Sequence, residues 1–161
     1  MKHFAFSSGL AVLFALLPTR FSQGEFIIGE FLAENSGIYV TDEDGFPADW
    51  IEIRNTGTTA ESLNGYSLTD APLNPTKWTF PDVTVPGGGS ILVFASRKDR
   101  AVAGSELHTN FSLDIDGEYL ALIEPDGSSI EDSFSPEYPQ QYPDISYGLG
   151  VGGSRVAAVF V

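Results

Sequence analysis

An antiparallel β-sandwich is the fold class this sequence predicts, on three observations. Short apolar or alternating runs recur about every 8–14 residues, the spacing of small strands joined by turns. The 17 Gly and 10 Pro are scattered between those runs as punctuation and do not gather into a repeat. Beyond the first two dozen residues, no segment carries helical periodicity. The 161 residues, 42% of them apolar, suffice for one packed domain and leave no room for a second.

The elements follow in order. Phe26 to Leu32 is a strand, apolar on both faces for part of its length, and 34–48 is polar and turn-rich around Asp42-Glu43-Asp44-Gly45. Asp49-Trp50-Ile51-Glu52-Ile53 alternates, with Ile51 and Ile53 on one face, and Asn55-Thr56-Gly57 closes it as a turn. A short strand over 62–68 carries Leu63, Tyr66 and Leu68 and stops at Asp70-Ala71-Pro72; another, 77–80, stops at Pro81. After Pro86-Gly87-Gly88-Gly89, the run 90–96 is apolar on both faces and is expected in a sheet interior. Arg97-Lys98-Asp99-Arg100 is expected as a solvated loop. Strands at 118–123 and 130–134 flank Pro125-Asp126-Gly127, whose residue types form a hairpin turn. From Ser135 to Pro143 the chain is rich in Pro, Tyr and Gln and expected to be extended.

Charge and cysteine content exclude several functions. Eight basic against 22 acidic residues give a net −14, a field that repels a polyanion and argues against nucleic acid as partner. With no cysteine, thiol catalysis, disulfides and thiolate metal sites are out.

Residues 1–24 have the layout of a secretory signal peptide: Met1-Lys2-His3, an apolar run from Phe4 to Leu17, then Ser22-Gln23-Gly24 before the expected cleavage. The run is short for a bilayer span, so no transmembrane anchor is expected. Losing Lys2 and Arg20 takes the net charge from −14 to −16, because no acidic residue lies in that segment. His108 is then the one histidine left. The expected localisation is secreted, extracellular or at the cell surface.

Several segments, taken in order, resemble the lamin tail domain, an immunoglobulin-like β-sandwich. They are Ile28-Gly29-Glu30-Phe31-Leu32-Ala33-Glu34-Asn35, the run from Asp42 through Asp49-Trp50-Ile51-Glu52-Ile53-Arg54-Asn55, Leu63-Asn64-Gly65-Tyr66-Ser67-Leu68-Thr69-Asp70 and Lys77-Trp78-Thr79-Phe80-Pro81. Gly88 to Arg100, Leu107-His108-Thr109-Asn110-Phe111-Ser112-Leu113, the hairpin from Gly117 to Gly127, and Asp144-Ile145-Ser146-Tyr147-Gly148 complete the set. The resemblance spans about residues 26–149 and, with the leader and the charge, is to the secreted bacterial branch. It implies a lamin-tail sandwich over 25–149. The C-terminal segment 150–161 departs from the family pattern and reads as a truncated strand, as in a truncated gene or a fragment of a longer secreted protein. The resemblance also implies a non-catalytic module that anchors or binds at a protein or cell-surface component. No catalytic residues belong to the family, so none carry over.

The candidate sites follow from residue chemistry. Asp42-x-Asp44-Gly45 offers two carboxylates and a turning glycine, and with Asp49 it is a candidate Ca²⁺ site, completed by Glu34 and Asn35; no Glu stands at the closing position of a full calcium loop. The competing reading is a solvated acidic turn. His108 has Ser105, Ser112 and Asp114 near it in sequence, but without a Gly-x-Ser-x-Gly elbow it is expected to be structural. Among 22 acids some pair will fall at glycosidase separation by chance, which makes a small secreted hydrolase the weakest alternative. Trp50, Trp78, Tyr138, Tyr142 and Tyr147 could form the platform of a carbohydrate-binding module, with the Tyr/Pro stretch the part expected to be exposed. Asn110-Phe111-Ser112 fits the N-glycosylation pattern.

Overall fold

The computed structural model describes residues 26–37, 40–150 and 153–159, and the leader expected over 1–24 lies outside them. Among the described residues there is no helix, hence none long and apolar enough to cross a membrane. The described residues form twelve strands: β1 (Phe26–Leu32), β2 (Asp49–Asn55), β3 (Glu61–Ser62), β4 (Ser67–Thr69), β5 (Trp78–Thr79) and β6 (Thr84–Val85), then β7 (Ser90–Ala95), β8 (Leu107–His108), β9 (Leu120–Ile123), β10 (Ile130–Phe134), β11 (Ile145–Leu149) and β12 (Arg155–Val159). They make a six-stranded sheet, ordered β12-β11-β1-β2-β7-β8, a four-stranded sheet, β10-β9-β4-β5, and a β3-β6 pair. Pairing is antiparallel throughout except between β7 and β8. This is the immunoglobulin-like sandwich the sequence predicts.

Alternation decides which residues fill it. Ile51, Ile53 and Val93 face inward from β2 and β7, and Leu68, Leu120 and Leu122 face them from the second sheet, all 0% exposed. Ile28 and Phe31 are both fully buried although three residues apart, which strict alternation forbids. A register shift between Ile28 and Glu30 supplies the missing residue and returns Phe31 to the core. There its ring meets Phe134 (5.1 Å), Tyr138 (4.6 Å) and Tyr147 (5.8 Å). Gly148 lies where β11 crosses β1, and a Cβ there would run into the Gly29 carbonyl.

The segment expected as one strand over 62–68 is broken into β3 and β4, because Gly65 turns the chain with φ 83°. The six-stranded sheet also runs past the boundary expected at 149: β12 pairs with β11 through five residues, from Ile145↔Val159 to Leu149↔Arg155.

Side chains close the open side between the sheets. The Phe26 and Ile28 amides of β1 donate to the Glu131 and Asp132 carboxylates of β10, at 2.9 and 2.8 Å. One guanidinium nitrogen of Arg155 (β12) donates to both Asp132 oxygens (2.7 Å each), another donates to the Ser133 carbonyl at 3.1 Å, and the group lies 3.8 Å over the Phe134 ring. The acids of β10 thus face a partner inside the molecule, and that edge is blocked to others.

Candidate functional site

The chemistry-bearing side chains collect at one end of the six-stranded sheet. There the segment between β1 and β2 folds back over the outer face of the sheet. Its apolar residues Val40 and Ala48 cover Leu32, Trp50 and Phe94. Asn35 fixes its path: its amide nitrogen donates to the Val40 and Ala48 carbonyls, both at 2.8 Å, and its oxygen accepts from the Gly37 amide.

Asp42 shapes the acidic turn. One carboxylate oxygen accepts from the Asp44 and Phe46 amides, each at 3.0 Å; the other takes the Lys98 ammonium at 2.7 Å, and Asp44 takes it at 2.6 Å. The Asp42 carboxylate has no exposed surface. Burial alone would raise its pKa, but the Lys98 bond and the two amides outweigh burial and hold it below the ordinary carboxylate value. The segment 97–100 is solvated as expected, with Arg97, Lys98 and Asp99 exposed, and it also supplies this counter-ion. Its backbone is contorted to do so, with Arg97 and Asp99 at φ 63° and 51°.

Next to this turn, β8 carries His108, fully buried and stacked on Phe94 at 5.4 Å. Its Nε2 lies 3.0 Å from Glu43 Oε2 and its Nδ1 2.8 Å from Ser96 Oγ. A carboxylate only accepts, so Nε2 carries a hydrogen toward Glu43. Arg100 pairs with the other Glu43 oxygen, and the Glu43 amide donates to Glu106 at 2.8 Å. The Glu43 and Glu106 carboxylates also hydrogen-bond each other; that contact chiefly holds Glu43 well below its ordinary pKa, helped by His108 and Arg100, and raises Glu106.

Serine, histidine and acid thus stand in line, but not as a hydrolytic triad. The histidine is wholly covered, and the turn beside Ser96 has its amides committed: Arg97 to the Phe111 carbonyl, Lys98 to Ser96 Oγ, Asp99 to Thr109 and Arg100 to His108. No donor in that turn is left to hold an oxyanion. The serines and the acid near His108 in sequence, Ser105, Ser112 and Asp114, do not bond its ring; Ser96 and Glu43 do.

Two shallow clefts flank the turn. One, of about 270 Å³, is lined by Asp42, Asp49, Ser96, Lys98 and Ser112. Its neighbour, of about 320 Å³, is lined by Glu34, Asp70, Arg97, Asp114 and Glu118. Asp49 lies at the start of β2, where its carboxylate accepts from the Leu113 amide at 3.1 Å. Burial, with repulsion from Glu34 and Glu118, pushes its pKa up to about 7 against the pull of its amide donors.

Of the three expected calcium ligands, Asp42 and Asp44 meet on Lys98, and Asp49 does not join them at metal-ligand spacing. Among the described residues, the group whose donor atoms come within reach of one ion is Glu43, Glu106 and His108. Sequence reasoning passed Glu43 over as the spacer between Asp42 and Asp44.

The expected aromatic platform is also rearranged. Trp50, Trp78 and Tyr138 are 3%, 3% and 1% exposed, Tyr147 is half-buried against the core, and only Tyr142 of the five faces solvent. Tyr138 turns inward because its hydroxyl finds partners there, donating to the Asp114 carbonyl and accepting from the Asp114 amide.

The family model described as Lamin Tail Domain matches residues 20–136, well over half of the chain. No curated protein matches it.

Proposed function

The chain belongs to the lamin tail domain family, and from that premise we propose that it is a non-catalytic, secreted module of the bacterial branch. It binds a protein at the surface of the cell that makes it, by adding a strand of that partner to β12.

The observation that carries this reading is the state of the sheet edges. β8 is two residues long, and Arg100 bridges to it from the side. β10 is blocked by Glu131, Asp132 and Arg155. β5 is two residues long, and Asn110 donates to the Lys77 carbonyl beside it. β12 is a five-residue edge strand at the end of the larger sheet with a single charge, Arg155, and that charge is turned to β10. Val156 is 44% exposed and Ala157 is exposed as well. An edge of that length, with its one charge turned away to β10, offers a row of backbone donors and acceptors to an incoming strand.

The absence of catalysis is supported by the covered His108 and the committed amides of 97–100. Against the carbohydrate-binding alternative stands the burial of three of its five aromatics. The test is surface retention. Labelled full-length protein should bind the producing cells, and Ala157→Lys should abolish that binding with the fold intact, since Ala157 lies opposite Tyr147 on the inward face, where a charge blocks strand addition. Undiminished binding by that variant would contradict the reading.

A further inference from the structure

Beside the acidic turn, a second cluster has the composition of a metal centre. We propose that Glu43, Glu106 and His108 form a site for one divalent transition-metal ion of the zinc class, ligated by His108 Nε2 and one oxygen from each glutamate. Those three donor atoms all lie within 4.8 Å of one another. One imidazole and two carboxylates suit zinc and its neighbours, whereas calcium and magnesium take oxygen ligands alone.

The histidine is the strongest part of the site. His108 has no exposed surface, is stacked on Phe94, and its Nδ1 is held by Ser96 Oγ at 2.8 Å, so that Nε2 points at the two glutamates. An imidazole fixed through its far nitrogen, with its near nitrogen aimed at carboxylates, has the arrangement that orients metal-ligating histidines. Glu106 immediately precedes β8, and the Glu43 amide bond to Glu106 already draws the acidic turn onto that strand.

Binding would displace the proton from Nε2 and leave the ring proton on Nδ1, where Ser96 Oγ accepts it. Arg100 is the competitor, since it pairs with Glu43 in the metal-free protein. The ion would tie the segment between β1 and β2 to β8. It would leave Asp42 and Asp44 on Lys98.

Zinc chloride titrated into the full chain, followed by ¹⁵N resonances of the histidine rings and by calorimetry, tests the site. Zinc should shift the His108 ring nitrogens and switch the proton to Nδ1, while magnesium and calcium should not. Because His108 is buried and its replacement could unfold the chain, the ligand variant is the exposed Glu106→Gln, which should weaken zinc at least about tenfold. Arg100→Gln, which removes the competitor, should tighten it. The proposal is overturned if the His108 resonances ignore zinc, if Glu106→Gln binds as wild type does (a sign of zinc at His3 or elsewhere), or if Arg100→Gln fails to tighten binding.

Discussion

Replacing Asp49 by Asn should remove most of the pH dependence of stability between pH 5 and pH 8. Asp49 has an ordinary value of 3.8, and burial beside Glu34 and Glu118 raises it to about 7. Between those values the unfolded chain has released the proton and the folded chain still holds it. Stability therefore falls as pH rises through this window and levels off above pH 7. A separation of about three pH units, at about 1.36 kcal/mol each, sets an upper bound near 4 kcal/mol. The carboxylate is not wholly covered, and solvent screening brings the expected loss to roughly 2 kcal/mol. Glu118 is raised as well and acts in the same direction, whereas Asp126, lowered to about 2 by its Ser129 and Ser128 bonds, contributes stability that disappears only in acid. The assay is urea unfolding of both proteins at pH 5, 6, 7 and 8, compared at the level of unfolding free energy. Asn keeps one acceptor for the Leu113 amide, so the variant should fold. Parallel pH profiles for the two proteins would refute the reasoning, because the slope would then belong to other groups.

Phe31→Ala should cost about 3–5 kcal/mol in urea unfolding, since it empties a fully buried ring site contacted by three aromatics. Trp78→Phe should cost far less than that despite comparable burial, because it also removes an indole N–H that is buried with no hydrogen-bond partner. Lys98→Met should lower the thermal midpoint by several degrees, because it strands the covered Asp42 carboxylate, and Asp42→Asn in the same chain should restore part of the loss. The same thermal assay decides calcium at the acidic turn: millimolar calcium should leave the wild-type midpoint in place, since Lys98 holds Asp42 and Asp44, and a rise would show that the ion displaces the lysine. Protein recovered from outside the producing cell should begin at Glu25 by mass spectrometry, and an intact Met1 would contradict the secretory reading.

The fold was legible where side-chain pattern and turn residues agreed. The strands expected at Phe26–Leu32 and Ile130–Phe134 have those bounds, and the face that alternation gave to Ile51 and Ile53 is the one turned to the core. It was less legible where strands are two residues long, as in β3, β5, β6 and β8, because no periodicity can be seen in two residues. The site was half visible. Asp42 and Gly45 announced a tight turn, but the partners of that turn lie more than fifty residues away: Lys98 on Asp42 and Asp44, Arg100 and His108 on Glu43. A run such as Arg97-Lys98-Asp99-Arg100 carries no local sign of which acids it will face. Tyr138 misled in the same way, since an extended Tyr/Pro stretch suggests exposure until Asp114 is seen to receive its hydroxyl.

The central claim is that β12 receives a partner strand, and site-specific photo-crosslinking tests it most directly. A photoreactive residue at position 157 of the full chain, in the producing cells, should capture one discrete protein, and the same probe at Leu73, fully exposed between β4 and β5, should not. Capture at 157 that disappears with a charge at Val156 is the expected result. Equal capture at both positions, or none at 157, would contradict the account.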